Sequence, residues 1–271
     1  MRAMFQHQLL LLVATAFLLT LVSTDKATLQ VIALRGREDD ASRRFFRSAE
    51  VFGYDYHVID LSEHGPTTDA VKDELKLVEL KHMLDTIAEP LPSHVLVLDS
   101  HSSILIKSPS KLLEAAEALK ADFVFIYQNE TTWEDAEVQG IASLPRSSDI
   151  FKGMLAKTSL LTLAIPEVPS SLSPEYTAEF LSSIKKLDSS VPVVVDLESK
   201  LFQSVPRDSE RLSIRYEDDI AYLQNEDTHS LPVVAVAAPD AKVRLFHLSS
   251  LSIACFVFGY FNPFGVCFHR H

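Results

Sequence analysis

Apolar and polar positions alternate along the chain in blocks that change period from two to about 3.6 residues. Leu29 to Leu34 (LQVIAL) is a short apolar run with β-branched residues at its centre, and it predicts a first buried strand. After a charged stretch, Phe45, Ala49 and Val51 or Phe52 recur at helical spacing within Ser42 to Phe52. Tyr56 to Leu61 (YHVIDL) predicts a second strand. Val71 to Ile87 predicts an amphipathic helix, with Leu75, Val78 and Met83 facing inward and Lys72, Asp73, Glu79 and Lys81 facing out. Pro90 and Pro92 close it. His94 to Leu98 (HVLVL) is the strongest strand signal in the chain and runs straight into Asp99. Pro109 to Leu119 predicts a helix with proline at its start, and Phe123 to Tyr127 (FVFIY) another buried strand.

Strand and helix therefore alternate, which predicts an α/β fold built on a parallel sheet. Residues 130 to 175 are looser and rich in Ser and Pro. Beyond them, Tyr176 to Leu187 predicts a helix, and Val191 to Val195, Leu212 to Tyr216 and Leu231 to Ala237 predict strands that make the sheet mixed. No internal repeat or linker interrupts residues 24 to 247, so a single domain is expected there.

The two ends carry different signals. Arg2 precedes an uncharged apolar run, Leu9 to Val22, and Ser23-Thr24-Asp25-Lys26 follow it. That order predicts a signal peptide over residues 1 to 23 and entry into the secretory pathway, to the endoplasmic reticulum lumen or beyond the cell. Membrane attachment is expected only if this leader is retained. Asn129-Glu130-Thr131 is an N-glycosylation sequon, which fits a glycoprotein of that compartment. Cys255 and Cys267 are the two cysteines of the chain, and an oxidising lumen permits a disulfide between them. They lie in an apolar, aromatic tail over residues 248 to 271, which Asn262-Pro263 interrupts.

Composition removes several function classes. The 25 basic and 37 acidic residues give a formal charge of −12, so no nucleic-acid partner is expected. The chain holds 7 glycines in 271 residues, where average usage of about 7% gives roughly 19. Neither a G-x-G-x-x-G loop nor a P-loop is present. The sequence lacks a G-x-S-x-G elbow for a serine hydrolase and a His-x-Asp pair for a facial triad.

The chemistry concentrates at Asp99. A hydrophobic strand that ends in Asp and continues as Ser100-His101-Ser102 stands where α/β sheets place ligand-binding groups. A carboxylate there can hold a divalent metal beside a diphosphate. Several blocks surround this position at matching spacing: Arg43-Arg44-Phe45-Phe46-Arg47-Ser48-Ala49, Lys76 to Leu84, Val95 to Ser100 with Ser108-Pro109 and Leu112-Leu113, Asp196 to Gln203 (DLESKLFQ), and Asn225 with Leu231-Pro232-Val233-Val234. On these blocks the chain, over about residues 28 to 250, resembles the N-terminal glycosyltransferase domain of the multifunctional procollagen lysyl hydroxylases. The resemblance implies a GT-A-like, Rossmann-like mixed sheet flanked by helices, a UDP-sugar donor, Mn²⁺ and a hydroxylysine-bearing collagen acceptor.

The departures from the family pattern fall on its chemistry. The metal motif D-S-Y-D matches Asp99, Ser100, His101 and Ser102, so the second Asp is Ser102. The His of H-G-N-G-P matches Val236, and the paired acids of D-D-Q match Thr177 and Ala178, followed by Glu179. Gly153 alone marks the S-G-G motif. Losing a metal ligand costs at least the roughly 10–100-fold typical of its supporting partners, and losing a catalytic carboxylate about 10²–10⁴ in rate. The expected reading is a catalytically degraded pseudo-glycosyltransferase that binds or scaffolds, with no catalytic residues and no cofactor. Its expected partners are collagen-like chains or an active family member. The alternative is a divergent UDP-sugar glycosyltransferase acting on collagen-like hydroxylysine, with Asp99 as metal ligand and His101 beside it in metal and UDP binding.

Overall fold

The computed structural model describes residues 28–65, 71–87, 89–127, 150–187, 191–205, 212–217 and 220–237. The leader, Asn129, Cys255, Cys267 and the tail fall outside these residues.

The first βαβ unit follows the predicted pattern. Strand β1 (Leu29–Arg35) leads into helix α1 (Asp40–Phe52), β2 (Tyr56–Asp60), α2 (Asp73–Thr86) and β3 (His94–Asp99). Helix α1 starts two residues before the apolar pattern does, because Asp39 caps it. One Asp39 oxygen accepts from the Ala41 and Ser42 amides, and the Ser42 hydroxyl accepts from the Asp39 amide. Gly53 ends the helix at φ 72°, a left-handed conformation in which a β-carbon would be strained. After β3 come β4 (Ser103–Leu105), α3 (Pro109–Leu119), β5 (Phe123–Ile126), β6 (Gly153–Lys157), α4 (Thr158–Ala164) and α5 (Pro174–Leu187). Strands β7 (Val193–Asp196), β8 (Phe202–Val205), β9 (Leu212–Glu217), β10 (Ile220–Asn225) and β11 (Val234–Ala237) complete the order.

The main sheet runs β2-β1-β3-β6-β5-β7. Strands β2, β1 and β3 pair in parallel, as do β5 and β7, but β6 lies antiparallel to both its neighbours. The sheet is thus mixed at its centre rather than parallel. The reversed strand lies within the stretch the sequence left as loose, where Gly153-Met154-Leu155-Ala156 carries four consecutive buried residues and no polar alternation. Two further strands in the expected set leave this sheet: β11 joins a three-stranded sheet, β4-β11-β8, and β9 forms a hairpin with β10.

Alternation along β1 and β3 divides the core. Ile32, Leu34, Val95 and Val97 pack with α2, α4 and α5, while Val31, Ala33, Leu96 and Leu98 pack with α1 and α3. Helix α2 is more enclosed than its pattern predicts. Lys76 is buried among Leu77, Val78 and Leu80, tied to Asp73 at 2.8 Å, with its ammonium 5.8 Å from the Phe151 ring centre. The result is a single mixed α/β domain with a central sheet flanked by helices, the GT-A-like, Rossmann-like arrangement that the resemblance implies.

Candidate functional site

The candidate site lies at the carboxyl ends of β1 and β3, the edge where open α/β sheets bind ligands. Strand β3 stops because its last residue turns the chain. The Asp99 carbonyl accepts from the Ser102 amide at 3.3 Å, closing a tight turn, and the Ser100 amide ties the turn to Leu34 of β1 at 2.9 Å. The Asp99 side chain is 4% exposed. Its Oδ1 accepts from the His101 amide and its Oδ2 from the Ser102 hydroxyl, both at 2.9 Å. In this structure both carboxylate oxygens are engaged within the turn.

His101 leaves the turn and reaches across to the β1–α1 loop. Its Nδ1 lies 2.8 Å from Oδ2 of Asp39, while Oδ1 of the same carboxylate caps α1. Burial pushes the Asp39 carboxyl up, but the Ser42 amide, the His101 imidazole, the Ala41 amide and the Ser42 hydroxyl outweigh it and hold it below the usual carboxylate value. One strand over, Arg35 at the end of β1 pairs with Asp60 at the end of β2 at 2.5 Å. The hydroxyl and amide of Ser62, together with Arg35, bring the Asp60 carboxyl down to about 2.

The positions matched to the family's metal set come together. Strand β11 pairs antiparallel with β4, placing Val236 opposite Ser103, and the Ala237 amide donates to the Ser102 carbonyl at 2.8 Å. The groups at these positions are one carboxylate (Asp99), one hydroxyl (Ser102) and one fully buried isopropyl group (Val236) packed in the core shared with α1 and α3. A divalent cation of the Mn²⁺ type wants several hard oxygen or imidazole ligands. Among the described residues no group of three His, Cys, Asp or Glu side chains is placed to hold a metal. These residues do not fit the implied ion, and no chemistry is derived through one.

Glu179 is exposed on α5, which packs with α2 and α4, whereas the Asp39–His101 contact joins the turn to α1. Thr177 is buried on the same helix. Gly153 serves packing, since a β-carbon there would meet the Phe202 ring at 3.1 Å and Ile126 Cβ at 3.3 Å.

Three arrangements around the site were not read from the sequence. Asp39 is one, although Asp followed three residues later by Ser ahead of an apolar helix is a cap signal. Asp196 is another. It is buried at the end of β7 and accepts from the Lys200, Leu201 and Phe202 amides at 2.9, 2.7 and 2.7 Å, folding the chain into β8. Burial raises its carboxyl, and the three amides pull it partly back. The third joins two blocks noted separately in the sequence: Asn225 donates to Gln203 at 2.9 Å and accepts from the Asp227 and Thr228 amides. Nearby, Lys107 donates to the Leu231 carbonyl and lies 5.7 Å from the Tyr222 ring centre. Burial and Lys111 push its ammonium down to about 8.

Comparison with known proteins agrees with the motif reading. Residues 25–147 match the family model described as "PLOD GT domain". Over 262 residues the chain is 25% identical to procollagen-lysine,2-oxoglutarate 5-dioxygenase 1 of Mus musculus, covering 90% of this chain and 35% of the relative. The protein of the same name from Bos taurus is 24% identical over 258 residues, and that from Gallus gallus 22% identical over 238 residues. The chain spans about a third of the length of these relatives. Among solved structures, the crystal structure of A197 from STIV covers 78% of this chain with a TM-score of 0.36 and 11% identity. The chain is glycosyltransferase-like and resembles the GT domain of the procollagen lysyl hydroxylases.

Proposed function

We propose that this chain is a pseudo-glycosyltransferase of the secretory pathway, in the endoplasmic reticulum lumen or secreted, that binds or scaffolds rather than transfers sugar. One observation carries the reading. The turn and strand that correspond to a metal-dependent donor site are kept, yet Asp99, Ser102 and Val236 offer a single carboxylate between them. That carboxylate is held by its own turn. The partners that suit the resemblance are collagen-like chains or an active family member, and an acidic protein of charge −12 favours their Lys- and Arg-bearing surfaces. The apolar run before Ser23 and the Asn129 sequon support the compartment.

The test is sugar transfer. The full chain is incubated with UDP-galactose or UDP-glucose, Mn²⁺ and a hydroxylysine-bearing collagen-like peptide. The reading expects no UDP release above the protein-free blank, with retention of the peptide in a binding assay. Sustained UDP release would overturn it. The second reading, a divergent UDP-sugar glycosyltransferase, draws on the presence of Asp99 and His101 in one turn at the ligand edge. It requires that Asp99→Ala abolish any transfer that is seen.

A further inference from the structure

We infer that the edge formed by β1, α1 and the Asp99–Ser102 turn takes no divalent cation, and that the contact between His101 and Asp39 is what ties this turn to the start of α1. The inference rests on reading this edge as the counterpart of a donor site, and it concerns how that edge stays assembled.

Charge is the first argument. A dication moved into a buried position needs opposing charge and hard ligands to offset its lost hydration. Asp99 supplies one negative charge at 4% exposure. Its Oδ1 already takes the His101 amide and its Oδ2 the Ser102 hydroxyl. Ser102 is neutral and turns its proton toward that carboxylate, so a cation seated between them would have to displace it. The next nearby carboxylate, Asp39, is also committed, with Oδ1 on the Ala41 and Ser42 amides and Oδ2 on His101. Val236 brings a buried hydrocarbon to the third matched position.

Connectivity is the second argument. The β1–α1 loop and the β3–β4 turn are separate segments, more than sixty residues apart in sequence, and the His101 side chain joins them. The His101 amide anchors to Asp99 and the ring to Asp39, while Asp39 in turn starts α1. The chain thus runs β3, turn, His101, Asp39, α1 without a metal. Asp39 is a positioning residue in this arrangement, and so is His101.

The experiment uses the full chain with Mn²⁺ alone as probe. Thermal unfolding is followed in millimolar Mn²⁺ and in EDTA, and the free ion is titrated by electron paramagnetic resonance. The expected result is the same Tm in both buffers and no bound Mn²⁺ at stoichiometric protein. His101→Ala is expected to lower Tm by about 3–6 °C and to speed hydrogen exchange at the Ala41 and Ser42 amides, equally with and without EDTA. His101→Asn, whose side-chain amide can stand in for Nδ1–H, is expected to recover most of both. Stoichiometric Mn²⁺ that raises Tm in the unmodified chain and is lost in Asp99→Asn would overturn the inference. So would His101→Ala with unchanged Tm and exchange. If His101→Ala does not fold, the titration of the unmodified chain still decides the first half and His101→Asn the second. Sugar transfer in EDTA would refute the proposed function while leaving this inference standing. Mn²⁺ binding without transfer would do the reverse.

Discussion

At the scale of single residues, the groups with the largest expected effects hold backbone in place. Asp196, itself buried, collects three backbone amide donors, from Lys200, Leu201 and Phe202. Asp196→Ala is expected to cost about 3 kcal/mol or more in urea denaturation, and Asp196→Asn, which keeps one acceptor oxygen, clearly less. Gly153→Ala forces the Phe202 ring to yield by a few tenths of an ångström. Overpacking of this kind costs about 1–3 kcal/mol, read in the same assay as a lower midpoint with an unchanged slope. The pH dependence belongs to Asp60. Its folded-state carboxyl is depressed to about 2 by the Ser62 hydroxyl and amide and by Arg35. A depressed acid stabilises the folded state above its unfolded value of 3.8 and loses that contribution as pH falls toward 2. The stability gap between the unmodified chain and Asp60→Asn, measured by urea at pH 6 and pH 2, is therefore expected to close at the lower pH. A gap that stays constant would assign the effect to packing. The sequence made Asp99 legible because it ends a strong strand. It did not reveal that His101 spends its Nδ1 on Asp39, since that contact spans two loops more than sixty residues apart in sequence.

At the scale of elements, what was legible followed local period. Strands β1, β2, β3 and β5 and helices α1, α2, α3 and α5 each carry their own apolar signal, and the structure places them near the predicted bounds. Strand β6 and helix α4 carry only short apolar runs, Met154 to Ala156 and Leu160 to Ala164, too brief to set a period. Gly153 to Lys157 is a short run whose burial comes from insertion between β3 and β5, and α4 is a seven-residue helix with no side-chain bond at its N-cap. Strands β4 and β8 are shorter still, and β8 owes its position to the Asp196 turn. The β9–β10 hairpin is attached through Leu212 and Leu223, which pack against the second sheet, and through the Asn225–Gln203 bond. A double-mutant cycle on Asn225→Ala and Gln203→Ala is expected to give a coupling of about 0.5–3 kcal/mol. Additive losses would mean that each residue serves its own loop instead.

At the scale of the molecule, the chain keeps the architecture of a glycosyltransferase-like domain while the matched metal positions carry Asp, Ser and Val. The core explains how both can hold. Leu34, Leu98, Phe123 and Phe125 are completely buried in layers that depend on strand alternation, and the site loops lie outside them. Change confined to these loops therefore leaves the apolar layers themselves in place. Among the described residues no helix is long and apolar enough to cross a membrane. The most direct test of the account is calorimetric titration of UDP into the full chain, with Mn²⁺ and with EDTA. The account predicts no Mn²⁺-dependent heat of binding at high micromolar UDP, and identical traces for Asp99→Ala. Saturable UDP binding that requires Mn²⁺ and disappears in Asp99→Ala would contradict it and restore the site as a working donor pocket.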